Sequence, residues 1–430
     1  MVMKTIRIGV LGGRRGRSMI RFCRESEYTQ LAAVCDKDER ILRSLQEGVG
    51  EEVPCLSSFE AFLEQDMDAV VLANYATEHA PFAIRCLEAG FHVFSEVLPA
   101  QTMREAVELV EAVERTGRVY AYGENYCYMP APREMRRLYR EGVIGEFEYG
   151  EGEYVHNCEP IWPVLTGGDP DHWRNGMYAT FYCTHSIGPL LHITGLRPVR
   201  VTGFEGTKTE RKVRCGAKGG SFGMELIELD NGGLLKSLHG DLYRDSVWYC
   251  LYGSKGRMES GRADAGGGVS TLYVGADRYS GEYAPVRPKA RILTDGLRGK
   301  AGDFGHEGSD YYAMHHFVKK YAGAGMRTSS ASMKRWICFC PGSSPTARSL
   351  GAASRWRSQI CVTGRRGSVT GTTPCAPTRR RRGINGSRPF PKGTRTSRAW
   401  SIGICGTCGT RGEDGRSPTR PRCKQDIRSK

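Results

Sequence analysis

Short apolar runs rich in β-branched residues alternate with longer amphipathic stretches through the first 122 residues. Thr5–Leu11 (TIRIGVL) predicts a strand that runs directly into a glycine turn, with a helix starting near Arg17. Gln30–Val34 predicts a second strand ending at Cys35 and Asp36, and Asp68–Ala73 a third, wholly apolar one. A helix over Ala80–Ala89, a strand over His92–Ser95, a helix over Met103–Arg115 and a strand over Val119–Tyr122 continue the alternation. Strands separated by helices of this length predict a Rossmann-like, doubly wound parallel sheet in an α/β domain. Further on the rhythm changes, and Phe147–Tyr154, Val199–Phe204, Ser221–Glu228, Gly233–His239 and Ser246–Gly253 predict successive strands of a second α/β domain.

Charge divides the chain a second time. From Arg327 to Lys430 there are 19 Arg and 4 Lys against three acidic residues, a balance of +20 in a chain whose total is +15, so the preceding residues sum to −5. The stretch is rich in Arg, Ser, Thr, Gly and Pro and has little apolar periodicity, a composition that suits disorder. Reading ordinary codons for Met333–Leu350 one base out of frame returns an acid-capped apolar helix pattern. Residues 327–430 are therefore expected to be a disordered or frameshifted tail rather than a nucleic-acid arm. The CxxC pair Cys405 and Cys408 lies inside that tail with no partner pair, and no metal site is expected. Nine of the 16 cysteines precede residue 327, scattered without paired spacing, which points to a cytoplasmic thiol protein. The first apolar run is too short to cross a membrane.

The candidate chemistry begins at the first turn. Gly12, Gly13 and Gly16, with Arg14 and Arg15 between them, follow a strand and open a helix, where backbone N–H groups and the helix dipole favour a pyrophosphate. The spacing is one residue short of G-x-G-x-x-G. Asp36, 20 residues beyond Gly16 at the end of the second strand, is placed to accept ribose hydroxyls, which favours NAD over NADP. Ligands bind beyond the carboxyl ends of such strands, which puts Asn74, His79, Glu96 and Asn125 on the cofactor side.

Taken with AVCD, AGFHVFSE-x-x-P, REMRRLYREGVIGEFEYGEGEY and THSIGPLLHITGL, these residues resemble the Gfo/Idh/MocA family of NAD(P)-dependent sugar and polyol oxidoreductases, over roughly residues 4–320. The resemblance implies a dinucleotide-binding domain over 1–123. It also implies a substrate and oligomerisation domain over 124–326, with a large open mixed sheet, and a homo-oligomer. Two positions depart from the family pattern. Val97 and Leu98 stand where most members carry the lysine of a Glu-Lys-Pro motif, and Phe181 stands where many carry an acid four residues before the histidine. Gly150–His156 and the Tyr182–Pro189 string look more like the NAD-dependent α-N-acetylgalactosaminidases of glycoside hydrolase family 109. The chemistry of that branch is redox-neutral: oxidation of a ring hydroxyl, elimination of the glycosidic group, water addition and return of the hydride.

Both readings need a group that takes a hydroxyl proton as hydride leaves, and histidine titrates in the working range. His185 is the candidate, with Tyr182 beside it; Tyr154 and His156 alternate along a strand and so share one face. His172 and Trp173 sit in a polar loop suited to stacking on a sugar. His315 and His316 are adjacent on a helix, point apart and read as packing residues. The expected partner is a small sugar, polyol or glycoside. The alternatives to a net dehydrogenase are the redox-neutral glycosidase and an inactive frameshifted product.

Overall fold

The computed structural model describes residues 5–262, 271–276, 284–286, 301–302 and 304–323. The expected tail, with Cys405 and Cys408, lies outside the described residues.

The first domain is a six-stranded, all-parallel sheet in the order β3-β2-β1-β4-β5-β6. Its strands are β1 (Ile6–Leu11), β2 (Thr29–Cys35), β3 (Cys55–Leu56), β4 (Ala69–Leu72), β5 (His92–Ser95) and β6 (Tyr120–Tyr122). All four β4 residues are buried, as expected for a strand covered on both faces. Helices α1 (Arg17–Glu25) and α2 (Glu39–Val49) cover one face; α3 (Phe59–Leu63), α4 (His79–Glu88) and α5 (Met103–Thr116) cover the other. Local chemistry sets their ends. The Asp38 side chain caps α2, and Thr102 with Glu105 forms a reciprocal capping box on α5, which stops at the left-handed Gly117. The strand order reverses between β1 and β4, opening a crevice at their carboxyl ends.

The second sheet has eight strands in the order β14-β13-β12-β11-β7-β10-β9-β8. They are β7 (Phe147–Val155), β8 (Pro198–Glu205), β9 (Phe222–Leu229), β10 (Leu234–Gly240), β11 (Ser246–Gly253), β12 (Gly256–Ser260), β13 (Leu272–Ala276) and β14 (Ala284–Val286). The β7–β10 pair is parallel and the others are antiparallel, so the sheet is mixed. Helices α6 (Pro130–Arg140) and α8 (Thr184–Thr194) pack on one face, through Met135, Leu138, Ile187 and Leu190 against Leu235, Tyr249 and Leu251. Two short helices, α7 (Trp162–Thr166) and α9 (Glu210–Arg214), lie between the strands in sequence. Close approach of α8 to β7 depends on Gly152: a Cβ there would stand 1.8 Å from the Ser186 carbonyl oxygen.

One element changes the expected division at residue 326. Helix α10 (Ser309–Gly323) does not join the second sheet. Its Tyr311, Tyr312, Met314, Phe317 and Val318, with Ala301 and Phe304, share a core with Ile6, Ile8, Met19 and Phe22 of β1 and α1. The Phe22 ring meets Tyr311 edge-on at 5.0 Å. The polypeptide thus returns to the first domain after building the second, and apolar burial against β1 and α1 is the reason.

Candidate functional site

The glycine turn is held from three sides. Gly12 has φ +96° and accepts no side chain, because a Cβ would lie 2.4 Å from the Ala73 carbonyl carbon and the Asn74 nitrogen. Gly16 N–H donates to the Gly12 carbonyl (3.0 Å), and Gly13 N–H donates to Asp36 Oδ2 (2.7 Å). Asp36 also accepts from Asp38 N–H (2.9 Å), so its carboxylate is locked beside the turn. Arg14 stands near Gly167, on the segment between α7 and α8. Asn74, just beyond β4, donates from Nδ2 to Glu78 (3.3 Å), while its Oδ1 is buried with no hydrogen-bond partner among the described residues. A buried orphan acceptor at the switch point is a place for a ligand donor. Together with the tight turn at Gly12 and the pinned Asp36, it fits NAD.

His79 does not face that crevice. It is buried, with Nδ1 2.7 Å from the Leu98 carbonyl oxygen and Nε2 3.3 Å from that of Asn74. Burial pushes its pKa down to about 4, and both ring nitrogens face backbone carbonyl oxygens. It braces the segments that follow β4 and β5 through these two backbone contacts.

Glu96 and Asn125 belong to one cluster with Arg15 and with Asp310, which sequence reasoning missed. Arg15 Nη2 lies 2.6 Å from Glu96 Oε1, and the same guanidinium donates to both oxygens of Asp310 at 3.1 and 3.2 Å. Asn125 Nδ2 donates to Asp310 Oδ1 (2.8 Å), and His306 Nδ1 lies 3.2 Å from that carboxylate. Leu98 is buried, and Val97 packs partly buried against the core of the first domain. The cation beside Glu96 comes from the glycine turn. Nothing in the HEGSD segment (306–310) marked Asp310 beforehand beyond an acid at a helix start.

The second cluster surrounds His185, in the first turn of α8. Its Nδ1 lies 2.7 Å from Glu124 Oε1, both side chains being buried. Thr184 Oγ1 donates to Glu124 Oε2 (2.5 Å), so the Tyr122 hydroxyl donates to Thr184 (2.6 Å), and Tyr126 N–H donates to Glu124 (3.1 Å). With those acceptors filled, Glu124 takes the Nδ1–H and leaves His185 Nε2 without a partner among the described residues. The His185 ring is boxed by Tyr126 (4.3 Å), Tyr154 (4.6 Å) and Tyr182 (5.3 Å). Burial raises the hydroxyls of all three tyrosines above the ordinary phenol range. Tyr249 OH donates to the His185 carbonyl (2.7 Å) and fixes the backbone beneath it. Glu124 was missed, although it stands one residue before Asn125 at the end of β6, where the same strand-end rule applies.

The other expected residues lie around this centre. His156 shares the face of Tyr154, ring to ring at 6.3 Å, but sits at the rim with Nδ1 3.2 Å from Asp245. Tyr182 faces Arg174, whose guanidinium also lies 4.6 Å from the Trp173 ring. His172 is buried, accepts from Arg174 N–H (3.2 Å) and meets the Tyr75 ring at 4.9 Å, so its loop lies against the end of β4. His315 stacks on Tyr311 and His316 on Tyr128. Two cavities of about 480 and 410 Å³ lie elsewhere, beside Trp162 and Arg214 and beside Tyr178 and Lys218.

Residues 6–124 match the family model described as "Oxidoreductase family, NAD-binding Rossmann fold" (Gfo/Idh/MocA). The chain is 31% identical over 204 residues to glycosyl hydrolase family 109 protein 1 of Shewanella sp. (strain MR-4), and 30% identical over 204 residues to an α-N-acetylgalactosaminidase of Shewanella oneidensis. Each match covers 44% of this chain and 44% of the relative, so the chain spans less than half the length of the curated relatives it matches. An oxidoreductase of Agrobacterium radiobacter, crystallised with NAD+, L-tartaric acid and magnesium, has the same fold (TM-score 0.62, 15% identity). That alignment covers 78% of this chain and 94% of the other.

Proposed function

We propose that this chain, whose first domain belongs to the NAD-binding Gfo/Idh/MocA oxidoreductase family and which is related to glycoside hydrolase family 109, moves hydride between NAD and a hydroxyl group of a sugar or polyol. The observation that carries the reading is the buried Glu124–His185 pair, 2.7 Å apart, inside a box of three tyrosines. NAD, bound along the glycine turn with its ribose hydroxyls toward Asp36, would supply the two-electron hydride acceptor. The chain supplies the rest. His185 takes the hydroxyl proton at Nε2, and Glu124 stabilises the imidazolium that results. Tyr126, Tyr154 and Tyr182 stay protonated, orient the substrate by hydrogen bonding and keep water from the reacting carbon. Arg174 and His156 stand at the edge of the box, where further hydroxyls of a sugar would reach.

Resemblance to the α-N-acetylgalactosaminidase favours a second reading in which the hydride is returned and a glycoside is cleaved with no net redox change. Absorbance of NADH at 340 nm during turnover on sugars, polyols and an N-acetylgalactosaminide separates them. Accumulating NADH supports the dehydrogenase; released sugar without NADH supports the glycosidase; neither product, from a chain that binds NAD, would refute both. The reading extends to a homo-oligomer, supported by exposed Phe204, Leu226 and Leu234 on the open face of the second sheet, and to a cytoplasmic setting.

A further inference from the structure

We propose that the corner made by Arg15, Glu96 and Asp310 selects the redox state of the bound cofactor, favouring the oxidised, positively charged nicotinamide, with Asp310 supplying the excess negative charge. The inference rests on the NAD reading above. Asp310 comes from α10, 185 residues beyond Asn125, and lies outside the span that the family model matches. Its carboxylate is 3% exposed and that of Glu96 is 7% exposed, and one guanidinium lies between them. With both acids ionised, Arg15, Glu96 and Asp310 sum to one negative charge when His306, 3.2 Å from Asp310 and 42% exposed, is neutral.

The position of this corner follows from the strand order. A sheet ordered 3-2-1-4-5-6 holds the two halves of a dinucleotide on either side of its switch point, and the acid at the end of β2 marks the adenosine half. Glu96 follows β5 and Asn125 follows β6, so they and Asp310 stand on the nicotinamide half. The oxidised ring carries one positive charge and the reduced ring none. A buried carboxylate in excess therefore acts on the difference between the two forms, while Arg15 opposes it. Burial works against ionising Asp310, but the His306 hydrogen bond and Arg15 outweigh it and hold the carboxyl well below the ordinary range. Glu96 is the softer charge, since burial raises its carboxyl against the pull of Arg15.

The test is calorimetric titration of the full chain with NAD+ and, separately, with NADH, before and after substitution. Asp310→Asn should lower the ratio of NAD+ to NADH affinity about tenfold, the scale of one charge several ångströms away at a partly buried site. Tenfold corresponds to about 30 mV in the potential of the bound two-electron couple. Arg15→Gln should raise the same ratio, although it weakens both affinities by removing a cation from the glycine turn. Opposite shifts support the selector. Parallel losses for both cofactor forms, or an unchanged ratio in an Arg15→Gln chain that still binds, would overturn it even if Asp310→Asn fails to fold. Absence of binding by the unaltered chain would defeat the NAD reading together with this one.

Discussion

Two polar clusters stand near the carboxyl ends of the first sheet, joined through Tyr126, whose ring lies 4.3 Å from His185 and 6.2 Å from His306. One is ionic: Arg15, Glu96 and Asp310 are locked together, with Asn125 and His306 filling the remaining valences. The other holds one imidazole against one carboxylate, with the Thr184 hydroxyl on the same carboxylate and three tyrosines around the ring whose hydroxyls burial raises above the ordinary phenol range. The difference is one of what can change. On the proposed reading, the fixed charges of the first cluster set a field, and in the second one proton moves while its surroundings stay fixed. In the proposed hydride reaction, field and proton transfer would be separate demands, divided between the two regions.

Removing the mobile proton site is the most direct way to break that division. His185→Ala is expected to lower kcat about 10³-fold, within the range for a positioned acid–base group, while NAD affinity in a calorimetric titration stays within about twofold. A comparable loss of NAD affinity would place His185 in the cofactor cluster instead.

Next in size is a stability effect, through His79. Its folded pKa of about 4 lies below the ordinary 6.5, so the stability it contributes is fully present above pH 6.5 and is lost as pH falls toward 4. The loss should approach about 3 kcal/mol, measured as a falling urea midpoint, and His79→Gln should flatten that dependence. An unchanged slope in the variant would assign the acid sensitivity to other groups.

Glu124→Gln sharpens the comparison further, because it keeps the shape and removes the charge that stabilises imidazolium. We expect kcat about 10²-fold lower, with KM changed much less. The least effect belongs to Asp36→Asn, which should weaken NAD about tenfold, as loss of a charge-assisted hydrogen bond does, and leave kcat at saturating NAD unaltered. A fall in kcat there would mean that the adenosine half also positions the reacting ring.

Much of this arrangement was legible beforehand for identifiable reasons. β4 was readable because a strand buried on both faces is continuously apolar, and β1, β2, β5 and β6 because short, mostly apolar runs bounded by turn residues alternate with longer helical stretches. Strand-end position picked out Asn74, Glu96 and Asn125, and local pattern picked out Tyr154, Tyr182 and His185. The same strand-end rule also chose His79, which turned inward, because position along a strand does not say which way the next residue points. Glu124 escaped notice because its role depends on α8, 60 residues later in the chain.

What the sequence determined by itself was local: periodicity dictated the strands and helices, and glycine and acid spacing marked the dinucleotide turn. Tertiary structure alone decided that α10 returns to β1, that Asp310 reaches Arg15, and that Glu124 meets His185. The physical reason is range. Backbone preference and side-chain periodicity act over a few residues and leave a trace in composition, whereas an ion pair across 295 residues is fixed only by how buried apolar surfaces close around it.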